Sequence, residues 1–80
     1  LNDNAIDVSA DENFYYEIIK ENHLCVIKTS FNTGKTTLYA IPSIPVENIN
    51  NCMIRCNSGI IVAYVEYNDH WDVYRIMINE

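Results

Sequence analysis

Two stretches of the chain repeat the same order of apolar segments and turns. Residues 14–42 and residues 50–78 each contain three short runs rich in β-branched and aromatic residues, separated by polar turn residues. Shifting the first stretch by about 36 residues places Phe31-Asn32 on Tyr67-Asn68. This pattern predicts an all-β fold, a small antiparallel barrel or sandwich built from two three-stranded meanders.

The segment at residues 14–20 fits two kinds of structure. Ser9 and Glu12 form a Ser-x-x-Glu capping box ahead of it, so an N-terminal helix at about 10–21, and hence an α+β fold, is the alternative. However, its sequence, Phe-Tyr-Tyr-Glu-Ile-Ile-Lys, is rich in the aromatic and β-branched residues that favour strands. We therefore predict a strand.

The next hairpin is defined by its turn residues. Leu24–Phe31 and Thr36–Ile41 flank Asn32-Thr33-Gly34-Lys35, and a glycine at this point predicts a bulged turn with a left-handed backbone position. The prolines at 42 and 45 then favour a connection between the two meanders rather than a central strand.

The last hairpin permits a prediction of register. A loop at 68–71 places Tyr67 opposite Asp72 and leaves Ile61, Ala63 and Val65 on one apolar side. On the other side this register sets Tyr64 beside Arg75, as a cation–π pair.

The chain is predicted to have an acidic, mobile arm at residues 1–12 and a single globular β domain at residues 13–80. The arm contains Ile6 and Val8 as its apolar anchors and could add a strand at a sheet edge. An 80-residue chain with 49% hydrophobic residues is long enough for one modest core.

The charge of the chain bears on its partners. With five basic and 11 acidic residues, the formal net charge is −6, which disfavours direct binding to nucleic acid and favours a basic protein partner. No apolar run approaches the roughly 18 residues of a spanning helix, so no membrane partner is expected.

The three cysteines, Cys25, Cys52 and Cys56, cannot all pair within one chain. An odd number favours free thiols and a cytoplasmic location, and Cys25 is expected to be the most buried. The alternative is a Cys52–Cys56 disulfide in a secreted or surface-exposed ligand-binding domain.

Motifs for catalysis or for cofactors are weak. Gly34-Lys35-Thr36 resembles the end of a phosphate-binding loop, but Thr29 stands where the first glycine belongs. The cysteines lack the paired spacing of zinc sites, and no local signature joins a cysteine to a histidine. We therefore expect no catalytic residues, no metal and no cofactor.

Surface aromatics offer the best functional hypothesis, since tyrosine and tryptophan are prominent at protein interfaces. The sequence predicts a non-enzymatic protein-binding module, such as an inhibitor, an immunity-type protein or an accessory protein. An acidic mimic of nucleic acid is a further alternative, and a homodimer through an edge strand is compatible with the pattern. The predicted partner-binding residues are Tyr64, Glu66, Tyr67, Trp71 and Arg75.

Overall fold

The computed structural model describes residues 4–78, which form seven antiparallel strands and no helix. The strands are β1 (Ala5–Ala10), β2 (Phe14–Lys20), β3 (Leu24–Ser30), β4 (Thr36–Ile41), β5 (Ile49–Asn57), β6 (Ile60–Tyr67) and β7 (Trp71–Ile76). One sheet has the order β1-β2-β3-β4 and the other β5-β6-β7. The all-β prediction is confirmed. The alternative helix at about 10–21 is wrong, because the aromatic and β-branched segment pairs as β2.

The repeat predicted from the sequence is present in the strands. Shifted by about 36 residues, β2, β3 and β4 fall on β5, β6 and β7 to within one or two residues at each end. The two meanders therefore exist, and β1 is a seventh strand added to the first of them.

Strand β1 lies within the predicted arm and joins the two sheets. Its alternation is inverted, because Asp7 and Ser9 point inward whereas Ile6 and Val8 are each 37% exposed. The Asp7 carboxylate accepts a hydrogen bond from the Ile54 N–H at 2.9 Å, and the Ser9 hydroxyl accepts one from the N–H of Cys56 in the same strand, β5. Side chains thus connect the two sheets at this edge. The mobility of residues 1–12 stays a prediction, and residues 1–3 lie outside the described residues.

The core lies between the two sheets and draws on both. It also includes Ile44, which is 2% exposed and comes from the segment that connects β4 to β5. Residues 4–78 contain no helix that is long and apolar enough to span a membrane. The buried residues of the core are Tyr16, Ile18, Leu24, Val26, Ile44, Cys52, Ile54, Ile61, Ala63, Val65, Tyr67 and Ile76.

The turn between β3 and β4 has the predicted geometry. Gly34 has φ of +72°, and its N–H donates to the carbonyl of Ser30 at 2.9 Å. The Ser30 N–H in turn donates to the carbonyl of Lys35, also at 2.9 Å. The left-handed position is therefore at the glycine, as the sequence predicts.

The three cysteines are free, as predicted, but their order of burial differs from the prediction. Cys52 is 1% exposed and Cys25 5%, so Cys25 is not the most buried. Burial raises the pKa of Cys52 to about 11. Cys52 and Cys56 lie four residues apart on the extended strand β5, about 13 Å along the chain, whereas a disulfide requires Cα atoms within about 7 Å. The fold therefore does not permit a Cys52–Cys56 bond.

Candidate functional site

The hairpin of β6 and β7 sets the geometry of the predicted site. The N–H of Tyr67 donates to the carbonyl of His70 at 2.8 Å, so the hairpin closes over Asn68 and Asp69. Tyr67 therefore does not face Asp72, which pairs with Val65 instead. The predicted register is wrong by two residues, and a shift of two leaves every side chain on its predicted face.

One face of the three-stranded sheet packs on the core and the other is open. Ile61, Ala63 and Val65 of β6 are fully buried, whereas Tyr64 between them is 37% exposed. Its neighbours across the sheet are Met53 on β5 and Val73 on β7. This row crosses all three strands and exposes apolar surface along its whole length.

Two further rows flank the central one. On one side Glu66 pairs with Trp71, which is 54% exposed. On the other side Val62 pairs with Arg75. Because Val73 takes the position opposite Tyr64, the predicted cation–π pair of Tyr64 and Arg75 is wrong. We call this surface the aromatic face and define it by Met53, Tyr64, Glu66, Trp71, Val73 and Arg75.

Tyr67 is not on the aromatic face. It is 6% exposed and points to the core side, where its hydroxyl donates to the carbonyl of Pro45 at 2.8 Å. The hydroxyl also lies 3.2 Å from that of Tyr74, and the Tyr67 ring stacks on His70 with centroids 4.8 Å apart. Its position therefore fits a structural role in holding the hairpin to the connection at Pro45.

Met53 lies beside Tyr64 on the aromatic face but was not among the predicted partner-binding residues. Its exposure follows from the pairing of β5 with β6, and that pairing is fixed by the turn at Ser58 and Gly59, whose φ values are +51° and +83°. A Ser-Gly pair between two apolar runs is a hairpin signal, and counting back from it would have placed Met53 beside Tyr64.

Acidic groups gather around His70 at the hairpin turn, and Asp72 lies on the core side of β7, opposite to the aromatic face. The His70 ring bonds through Nδ1 to Asp69 at 2.6 Å and through Nε2 to Asp72 at 3.2 Å. The hydrogen bond with Asp69 raises the pKa of His70, and the pKa of Asp69 is lowered by the same bond. The pKa of Tyr74 is raised, first by its hydrogen bond with Tyr67. Trp71 lies between His70 and Asp72 in the chain, but alternation along β7 directs its side chain to the aromatic face.

Other carboxylates are used within the fold. Asp7 accepts a hydrogen bond from the Arg55 guanidinium at 3.1 Å in addition to that from β5. Asp11 accepts bonds from the backbone N–H groups of Asn13 and Phe14, each at 3.0 Å, and so fixes the turn between β1 and β2.

An open cleft of about 850 Å³ lies at the opposite end of the two sheets, beside the turn at Ser58 and Gly59. Its cationic group is Lys28, a residue only 9% exposed whose Nζ lies 4.0 Å from the centroid of the Phe14 ring. Within residues 4–78 no group of three or more His, Cys, Asp or Glu side chains is placed to hold a metal ion.

Compared with protein-family models, with curated proteins and with solved structures, the chain shows no match in any of the three. The function of the protein is therefore inferred from its own residues. Among its surfaces, the aromatic face unites four of the five residues predicted to bind a partner: Tyr64, Glu66, Trp71 and Arg75.

Proposed function

We propose that this protein is a non-enzymatic protein-binding module that holds its partner on the aromatic face. The observation that carries the proposal is the exposed row formed by Met53 (37%), Tyr64 (37%) and Val73 (64%), with Trp71 beside it. Aromatic residues and methionine are enriched at protein interfaces, and a contiguous apolar surface on a small domain is typical of a contact site.

The charge around Trp71 favours a basic partner. Glu66 pairs with Trp71 across the hairpin, and both side chains belong to the aromatic face. A lysine or arginine of the partner could stack on the indole while the Glu66 carboxylate neutralises its charge. The net charge of −6 adds a longer-range attraction in the same direction.

The proposal is tested by truncating the two aromatic anchors. The partner would be captured from a lysate of the source cells and identified, and its affinity for each variant measured by calorimetry. Trp71→Ala and Tyr64→Ala are each expected to weaken binding by about 2 kcal/mol, or about 30-fold. Both side chains are exposed, so we expect the variants to unfold cooperatively at nearly the wild-type temperature.

A matched control is available on the other sheet. Leu38 on β4 is 54% exposed, the same fraction as Trp71, and lies outside the aromatic face. Leu38→Ala should leave the affinity unchanged. Normal binding by both aromatic variants, with a loss in Leu38→Ala, would move the interface to the four-stranded sheet and refute the proposal.

A further inference from the structure

Strand β7 is the outer strand of its sheet and has one hydrogen-bonded neighbour, β6. Because Tyr67 and His70 form a hydrogen-bonded pair, alternation along the ladder directs the backbone groups of Asp72 and Tyr74 toward β6. The N–H and C=O groups of Trp71, Val73 and Arg75 consequently point outward to the open edge. The side chains of these three residues are exposed and belong to the aromatic face.

The other outer strand of this sheet, β5, is not open in the same way. Of its outward N–H groups, those of Ile54 and Cys56 donate to Asp7 and Ser9 of β1. The N–H of Cys52 donates to the side chain of Asn51 at 2.9 Å. The outward N–H groups of β5 therefore already donate hydrogen bonds to side chains. Among the described residues, no side chain accepts a hydrogen bond from the outward N–H groups of β7.

We propose that two copies of this chain pair through β7, antiparallel and about a two-fold axis at Val73. In this register each Val73 faces its counterpart, and each Trp71 faces Arg75 of the second copy. All three outward-facing residues of β7 then lie in hydrogen-bonded pairs, which gives six backbone hydrogen bonds across the axis.

Side-chain chemistry selects this register and this edge. Each Arg75 guanidinium would lie beside the indole of the other copy and near the Glu66 that pairs with that indole. Strand β4 is also an outer strand, and a two-fold pairing there would set Leu38 on itself and Thr36 on Ala40. That arrangement forms no charge pair and no cation–π pair, so complementarity favours β7.

Pairing through β7 would make one continuous six-stranded sheet. The exposed row of Met53, Tyr64 and Val73 would run on into the same row of the second copy, doubling the aromatic face. Self-pairing goes beyond the proposed function and needs no other protein. Its test therefore measures the oligomeric state of the purified chain alone.

A cysteine on the axis provides the first test. Hydrogen-bonded antiparallel pairs have Cα atoms about 5.5 Å apart, within the range that a disulfide accepts. Val73→Cys is expected to form a covalent dimer under mild oxidation much faster than Leu38→Cys, a cysteine at another exposed position on the other open edge. Trp71→Cys and Arg75→Cys should cross-link when mixed and not when alone. Equal cross-linking at 73 and 38 would overturn the proposal.

Proline substitutions provide the second test. Val73→Pro removes an outward N–H that β6 does not use, so the fold should persist, as circular dichroism would show. Sedimentation analysis should give a dimer dissociation constant raised at least about tenfold over wild type. Leu38→Pro, which removes the corresponding outward N–H of β4, should leave it unchanged. A wild-type chain that stays monomeric up to about 1 mM would also refute the proposal.

Discussion

At the scale of single residues, the backbone conformation at Gly34 strongly restricts which amino acid can stand there. Its φ of +72° lies in the left-handed region, which L residues with a branched Cβ rarely adopt. A Cβ built there meets no atom within 4 Å, so any cost of substitution comes from backbone conformation and not from a clash. The stability of variants at Gly34 therefore reports the cost of backbone strain without a contribution from packing.

We expect Gly34→Val to lower the free energy of unfolding by about 1–2 kcal/mol, because valine must adopt the left-handed conformation. Gly34→Asn should cost less, since asparagine enters that region more readily. Chemical denaturation of the two variants measures both values. A valine variant as stable as wild type would show that the turn does not require a left-handed residue.

His70 gives the protein a response to pH. The hydrogen bond with Asp69 raises the histidine pKa above 6.5 and lowers that of Asp69 below 3.8. The histidine contribution to stability is complete below pH 6.5 and is lost as pH rises through the raised value. The aspartate contribution is complete above pH 3.8 and is lost as pH falls through the lowered value. The pair therefore stabilises the hairpin most between these two ordinary values.

We expect Asp69→Asn to lower the pKa of His70 toward 6.5, because the strongest partner of the imidazolium loses its charge. Titration of the imidazole proton signals by NMR measures the shift. Glu12→Gln, in the turn between β1 and β2, removes a carboxylate from the other end of the molecule and should not change the His70 titration. An unchanged His70 pKa in Asp69→Asn would assign the shift to another group.

At the scale of elements, β1 closes an edge by means of its side chains. Asp7 and Ser9 face inward, where a strand usually places apolar residues. Their side chains accept hydrogen bonds from the outward N–H groups of β5. The polar side chains of β1 therefore satisfy the backbone N–H groups of β5, which a neighbouring strand's carbonyl groups do elsewhere in the fold.

We expect Asp7→Ala to destabilise the protein by about 1–3 kcal/mol, because the N–H of Ile54 loses its acceptor in a half-buried place. Asp7→Asn retains an acceptor oxygen and should cost less. Glu12→Ala, an exposed acidic residue nearby in the chain, should change stability by less than about 0.5 kcal/mol. Thermal unfolding compares the three. Equal effects of the alanine variants at 7 and 12 would mean that β1 is not held by this bond.

The register of β6 and β7 shows which part of the fold alternation can predict. Period-two alternation correctly assigned Ile61, Ala63 and Val65 to the core and Tyr64 to the surface. It could not choose between registers that differ by two residues, because both keep the same faces. The choice depends on the turn, where Tyr67 bonds to His70 and shortens the loop.

At the scale of the whole molecule, the class of the fold and its repeat were predictable, whereas the junction of the sheets was not. The strand content of residues 14–42 and 50–78 is local in the sequence, so propensity and turn residues report it. The junction depends on polar side chains of β1 that meet backbone groups far along the chain, and no local pattern encodes such a contact.

The candidate site was predictable to the same degree. Tyr64, Glu66, Trp71 and Arg75 share one face because alternation places them there in both the predicted and the observed register. Tyr67 lies inside because alternation places it on the face of Ile61, Ala63 and Val65, and the bond from its hydroxyl to Pro45 holds it there. Whether the aromatic face binds a partner stays a prediction, to be decided by the anchors at 64 and 71.

The junction between β1 and β5 also governs the order in which the chain assembles. The bond from Ile54 to Asp7 spans 47 residues, whereas each hairpin closes over a few. Short hairpins form within microseconds and long loops carry a larger closure entropy, so each sheet should form first, with β1 paired to β2, and β1 should dock on β5 last. Until it docks, the donors of β5 remain free for β1 of another chain. A slow docking step would therefore favour domain-swapped assemblies during refolding at high protein concentration.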